Sequence, residues 1–124
     1  DLTVLCDAAL AGRLDQASME WDPRAALGVV LAAAGYPDTV RKGDEIRGLD
    51  RAAGLPGKVF HAGTAQREGR IVTQGGRVLC AVGLGDSVRA AQRDAYALVD
   101  QIDFEGMQCR RDIGHRAIDR EQSR

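Results

Sequence analysis

The stretch from Arg77 to Ile102 constrains the fold of this 124-residue chain more than any other. It opens with "RVLCAVGLG", in which no charged residue follows Arg77. Such a run predicts a strand over Val78 to Val82 that is apolar on both faces and therefore central in a sheet. Asp86 then stands where a helix N-cap belongs. After it, Val88, Ala91, Ala95, Leu98, Val99 and Ile102 trace one helical face, and Arg89, Gln92, Arg93 and Asp100 lie outside that face. A central strand that turns directly into an amphipathic helix implies a sheet with that helix laid across it.

The preceding residues supply partners for the strand. "KVFHAGTAQ", "GRIVTQ" and "GRVLCAVGLG" follow one another at short spacing, punctuated by Glu68-Gly69 and Gly75-Gly76 as hairpin turns would punctuate them. That pattern predicts an antiparallel meander. Ala25 to Gly35 is a continuous apolar run between Pro23 and Gly35. Its valine pair favours a buried strand, while its alanine content leaves a helix open. Tyr36 to Gly57 is rich in glycine, proline and charge and has no sustained period, so it is expected to form a long ordered loop with at most a short strand or helical turn. The fold class that follows is α+β, a small and largely antiparallel sheet with packed helices.

The two ends are less regular. Leu2, Leu5, Cys6, Ala9 and Leu10 mark a helix face that Gly12 would stop, with little room before Leu2 for an N-cap. A helix that starts so abruptly is expected of a piece cut from a longer protein. "LDQASMEWDP" reads as a polar connector. The tail from Met107 is basic and polar, with Ile113 and Ile118 as its apolar anchors.

Composition removes several function classes. Aromatic residues are only 4% of the chain, so Ala, Val, Leu and Ile must build the core. A formal net charge of −1 gives no reason to expect nucleic acid or an anionic membrane as partner. No apolar run is long enough to span a bilayer. Cys6, Cys80 and Cys109 are odd in number and widely spaced, which fits a reducing cytoplasm and neither a disulfide framework nor a zinc site.

No catalytic constellation and no metal-ligand spacing is visible. His61 and His115 are far apart in the chain, His61 reading as a satisfied strand residue or a substrate contact. Cys80, between Leu79 and Ala81, reads as a small core residue. The sharper candidate is Gly75-Gly76-Arg77. Two glycine amides beside a guanidinium could hold an oxyanion, and the same glycines suit a type I′ turn. "GLGDS" reads as a strand-to-helix corner. In "GYPDTVRKG", Tyr36, Arg41 and Lys42 form either a solvated charged loop or a flexible cationic lid over an anionic substrate.

Several of these stretches, taken in order, resemble one family. "GVVLAAAGYPDTVRKGDEIRGL", "KVFHAGT" and "GGRVLCAVGLGDSVRAAQRDAYALVDQIDFEGMQCRRDIGHRAI" are similar to the C-terminal region of phosphoribosylamine–glycine ligases, and the opening "DL…LCDAALAGRLD…WDPRAALGVV" fits as the helix that follows that family's ATP-grasp metal-binding segment. Departures are few: Asp38 stands where many members carry Gly, and His115 where Tyr is common. The resemblance implies a cytoplasmic ligase of purine biosynthesis. It would activate glycine as an acyl phosphate with ATP and Mg²⁺, and the amine of 5-phosphoribosylamine would then attack to give glycinamide ribonucleotide. It assigns residues 1–20 to the end of an ATP-grasp domain and 21–124 to a C-terminal substrate-site domain. ATP and Mg²⁺ would be bound mainly by upstream segments, leaving this chain inert alone. Gly75, Gly76, Arg77, Tyr36 and Lys42 would face the ribose phosphate of phosphoribosylamine. The alternatives are the C-terminal domain of another ATP-grasp ligase, such as a biotin carboxylase, and a non-catalytic binding module.

Overall fold

A computed structural model describes residues 1–123. The first helix, α1 (Leu2–Leu10), is followed by a 3₁₀ turn at Leu14–Gln16. Then come β1 (Ala25–Ala32), α2 (Leu49–Ala53), β2 (Lys58–His61), β3 (Thr64–Arg67), β4 (Arg70–Thr73), β5 (Arg77–Gly85), α3 (Val88–Val99) and α4 (His115–Gln122). The architecture is α+β. β5 is central in a three-stranded antiparallel sheet of order β1-β5-β2, and β3 and β4 form a separate two-stranded ribbon.

α3 lies on one face of the larger sheet. Ala91, Ala95, Leu98 and Val99 turn inward from the helix and meet Val29 and Leu31 of β1 and Leu79 and Ala81 of β5. Ile102 and Phe104 close the core just beyond the helix end. Two glycines set the spacing. A Cβ on Gly83 would lie 2.6 Å from Ala95 N and closer still to the Ala91 carbonyl, and a Cβ on Gly85 would lie 2.8 Å from Ala91 N. Neither glycine has a positive φ. These residues are glycine because the α3 backbone rests on them, so "GLG" seats the helix and does not turn the chain.

The N-cap of α3 is Ser87 and not Asp86. The Ser87 hydroxyl accepts from Ala90 N at 3.1 Å, and the Glu121 carboxylate of α4 takes the Val88 N–H at 2.9 Å. Both residues are good capping types, and only the extended backbone of Ser87 brings its oxygen over the first turn. Ser87→Ala should therefore cost about 1 kcal/mol, and Asp86→Ala close to nothing. Urea denaturation of the two variants checks this; a larger loss at Asp86 would contradict it.

Other expectations also need correction. The Glu68-Gly69 hairpin is present, with both residues at positive φ as a type I′ turn requires. The Gly75-Gly76 hairpin is not: β4 and β5 do not pair, and neither glycine has positive φ. α1 does have an N-cap, since Asp1 accepts from Thr3 N at 2.9 Å. The polar tail contains α4, whose Ile118 is buried. The loop of residues 36–48 is ordered, as expected. Arg41 N donates to Ala34, Gly43 N to Thr73, Ile46 N to Ile71 and Arg47 N to Asp103.

Cys80 is half-buried instead of enclosed, because the sheet face opposite α3 lacks a covering layer among the described residues. On that face Val30, Cys80 and Phe60 stand in register across the three strands, with Val30 42% and Phe60 52% exposed. β5 is central by hydrogen bonding and buried on one face only.

Candidate functional site

The open sheet face leads into a cavity of about 380 Å³. Its floor is Gly28, Val30 and Ala32 of β1. Tyr36 and Arg77 stand on one side, and the segment Gln108 to Ile113 on the other. Two side chains of α3 hold that segment in place. Gln92 Nε2 donates to the Ile113 carbonyl at 2.7 Å, and the Tyr96 hydroxyl donates to the Arg110 carbonyl at 2.8 Å while accepting from Ile113 N.

Arg77 reaches this face through an irregularity in the sheet. Leu31 is opposite Leu79, yet Ala32 is opposite Arg77, so β5 carries one extra residue, Val78, at that point. In unbroken alternation Arg77 would share the face of Leu79 and Ala81 and point toward α3. The bulge places it on the side of Ala32 instead, a common use of bulges near binding sites. The side chain is exposed and, among the described residues, makes no ion pair. Arg110 across the cavity is committed: its guanidinium forks onto Asp112 at 2.9 and 2.6 Å. That contact pushes the Arg110 pKa up and pulls the Asp112 carboxyl below the usual carboxylate range.

The glycine pair is not a two-amide cradle. Gly75 N donates to the Gly63 carbonyl at 3.1 Å, and a Cβ on Gly75 would lie 3.2 Å from the Gly63 Cα. Gly75 thus serves a close crossing of two backbones. Gly76 packs beneath the Tyr36 ring. Its carbonyl accepts from Ala33 N at 2.9 Å, while its N–H donates to no protein acceptor among the described residues.

Of the five candidates, Tyr36 and Arg77 meet at the cavity, with Gly76 behind them. Lys42 is exposed and is not part of the cavity lining. Arg41 is neutralised by Asp44 at 2.5 Å. With the backbone of this loop hydrogen-bonded along its length, the arrangement is a fixed rim and not a flexible lid. His61 is exposed at the end of β2, its Nδ1 3.0 Å from the Thr64 hydroxyl. Burial pushes the Cys80 thiol pKa up, which suits an inert side chain. No group of three or more potential metal ligands occurs among the described residues. Nor, among the described residues, is any helix long and apolar enough to cross a membrane.

Gln108, Cys109, Arg110 and Ile113 complete the cavity; the sequence marks Ile113 only as an apolar anchor and none of the four as a site residue, because residues 105–114 carry neither strand nor helix periodicity. An apolar floor with one uncommitted guanidinium at its edge suits a ligand with an anionic end and a less polar body.

Residues 26–116 match the family model described as Phosphoribosylglycinamide synthetase, C domain. The chain belongs to this family. The chain is 57% identical to the phosphoribosylamine–glycine ligase of Vibrio cholerae over 124 residues, all of this chain and 29% of that protein. It is 57% identical to the ligase of Pseudomonas syringae pv. tomato over 121 residues, 98% of this chain and 28% of that protein. The chain therefore spans less than a third of the length of these relatives. The crystal structure of phosphoribosylamine–glycine ligase from Thermotoga maritima superimposes with a TM-score of 0.68 at 43% identity, covering 87% of this chain and 27% of that one. The synthetase C domain thus accounts for the sheet, for α3 and for the segment that walls the cavity.

Proposed function

We propose that this chain is the C-terminal part of a phosphoribosylamine–glycine ligase, which joins glycine to 5-phosphoribosylamine at the expense of ATP to give glycinamide ribonucleotide in purine biosynthesis. The observation that carries this reading is 57% identity to a ligase of that name along the whole chain. The biotin carboxylase-type alternative and the binding-module alternative have no comparable support.

In this reading the chain supplies the phosphoribosylamine side of the substrate site. Arg77 takes the ribose phosphate as a charge-assisted, forked donor, and the Tyr36 hydroxyl lies beside it. Gly76 N–H is a third donor, and Lys42 adds positive charge at longer range from the loop. ATP and Mg²⁺ belong mainly to upstream segments, which also supply the groups that activate the glycine carboxylate. The residues described here hold the phosphate end of the amine substrate, and its amine meets the activated glycine carboxylate among groups supplied by the rest of the longer protein.

The same reading explains the exposed apolar residues. α1 buries none of its residues, and Leu2, Val4, Leu10 and Trp21 are all more than half exposed. Together with Val30 and Phe60 on the open sheet face, they form apolar surface that the remaining two thirds or more of the longer protein would cover. Residues 1–20 then belong to the end of the ATP-grasp unit and 21–124 to the substrate-site domain.

Assays for glycinamide ribonucleotide and ADP, with ATP, glycine and 5-phosphoribosylamine supplied, test this. The longer protein that contains this chain should form both products, and the 124-residue chain neither. A longer protein inactive with this set, or active turnover by the chain alone, would sink the reading.

A further inference from the structure

We propose that Gly76 is a positioning residue: the absence of its side chain is what allows the Tyr36 ring to stand beside Arg77 at the cavity. The inference rests on the reading of this cavity as the phosphoribosylamine face.

A glycine kept for backbone freedom would have positive φ, as Gly35, Gly43 and Gly48 do in the neighbouring loop. Gly76 does not. What the position cannot tolerate is volume. A Cβ there would lie 2.7 Å from Tyr36 Cδ2, 3.2 Å from Tyr36 Cε2 and 3.3 Å from Val40 Cγ2. The clash is with the ring itself, close to its attachment, so a small adjustment at the tip of the side chain does not relieve it.

The backbone cannot retreat easily either. The Gly76 carbonyl accepts from Ala33 N at 2.9 Å, and Tyr36 N donates to the Ala33 carbonyl at 3.1 Å. Gly76 and Tyr36 are therefore both tied to Ala33, a residue that is itself fully buried. On the far side, Gly75 is held against Gly63. With the main chain fixed at both ends, a methyl group at 76 is accommodated by rotating the Tyr36 side chain away. That rotation takes the ring out of the cavity wall it shares with Arg77 and leaves Arg77 where it is, because the pairing of Ala32 with Arg77 holds β5 independently of the ring.

Acting through Tyr36 has a signature that a general structural defect lacks. In the full-length ligase, Gly76→Ala and Tyr36→Ala should each raise KM for 5-phosphoribosylamine by about tenfold, the scale of one lost hydrogen bond with its packing. KM for ATP and for glycine should stay within about twofold in both. The double variant should be no worse than Tyr36→Ala alone, since a displaced ring and an absent ring leave the same gap. A crystal structure of the Gly76→Ala ligase should show the Tyr36 ring turned out of its seat. Multiplying KM effects in the double variant, or a ring still in place, would overturn the positioning role and leave the cavity reading intact. A silent Tyr36→Ala would overturn the cavity reading and this inference with it.

Discussion

Gly83→Ala should lower the thermal unfolding midpoint of the chain by roughly 10 °C. The added methyl would press into the Ala91 carbonyl and lie 2.6 Å from Ala95 N, both backbone atoms of α3. Backbone cannot rotate aside as a side chain can, so the whole helix must lift. Ala91, Ala95, Leu98 and Val99 are fully buried or nearly so against β1 and β5, and lifting α3 loosens every one of them. Overpacking of this kind costs about 3 kcal/mol or more, and a domain of this size loses about 3–4 °C per kcal/mol. Gly28→Ala is the matched control. It stands in the same sheet on the open face, and its new methyl would meet only the Cys80 Sγ at 3.0 Å and Val82 Cγ2 at 3.6 Å. That crowding can relax into free space and is offset by the stiffer unfolded chain, so the midpoint should move by no more than a few degrees. Circular dichroism melts of the two variants decide the matter. Equal shifts would mean that α3 does not rest on Gly83.

The contrast between these two glycines also shows which parts of the fold are legible in the sequence. The β5–α3 unit is local: a short continuous apolar run gives way to period 3.6 within a few residues, and both signals are printed in the sequence. β5 could therefore be placed at the centre, and the inward face of α3 named residue by residue. Whether the second face of an apolar strand is covered depends on elements far away in the chain. Cys80 has the same apolar neighbours whether a layer lies over it or not, so the enclosed core position expected for it does not hold. Glycine is ambiguous for a related reason. Gly69 and Gly76 are the same letter, but the first is glycine because its φ is positive and the second because the Tyr36 ring occupies the space of a Cβ. Only the first need is local, and the hairpin at Gly69 was legible while the one expected at Gly75-Gly76 does not exist. The cavity itself was half legible. Arg77 and Tyr36 stood out as a cation and an aromatic beside glycines. The opposite wall could not, because Gln92 and Tyr96 on α3 hold it by hydrogen bonds that no sequence spacing announces. Nor does the sequence mark the extra residue at Val78, although that residue is what brings Arg77 to the cavity.

Arg77→Ala in the full-length ligase should raise KM for 5-phosphoribosylamine by about 10- to 150-fold, with KM for ATP and glycine changed by less than about threefold. The expectation follows from what Arg77 lacks. Arg110 is also at the cavity, but Asp112 already occupies both prongs of its fork, and Arg41 is paired with Asp44. Arg77 has no such partner among the described residues, so its donors are available to a phosphate without first breaking an ion pair. A charge-assisted hydrogen bond contributes about 1.5–3 kcal/mol, which corresponds to the stated range in affinity. The matched comparisons separate charge from geometry. Arg77→Lys keeps the charge and loses the planar fork, so its KM should fall between wild type and Arg77→Ala. Arg110→Ala removes a guanidinium that faces the same cavity but is bound elsewhere, and its KM should rise by less than about fivefold. Because the role is in binding a part of the substrate remote from the new bond, kcat at saturating substrate should stay within a few-fold of wild type for all three. Steady-state kinetics with each substrate varied in turn reads every one of these quantities. A rise confined to ATP would place the nucleotide, and not the ribose phosphate, at Arg77. Equal losses at Arg77 and Arg110 would mean that the Asp112 fork opens in the complex and that the two arginines share the anion.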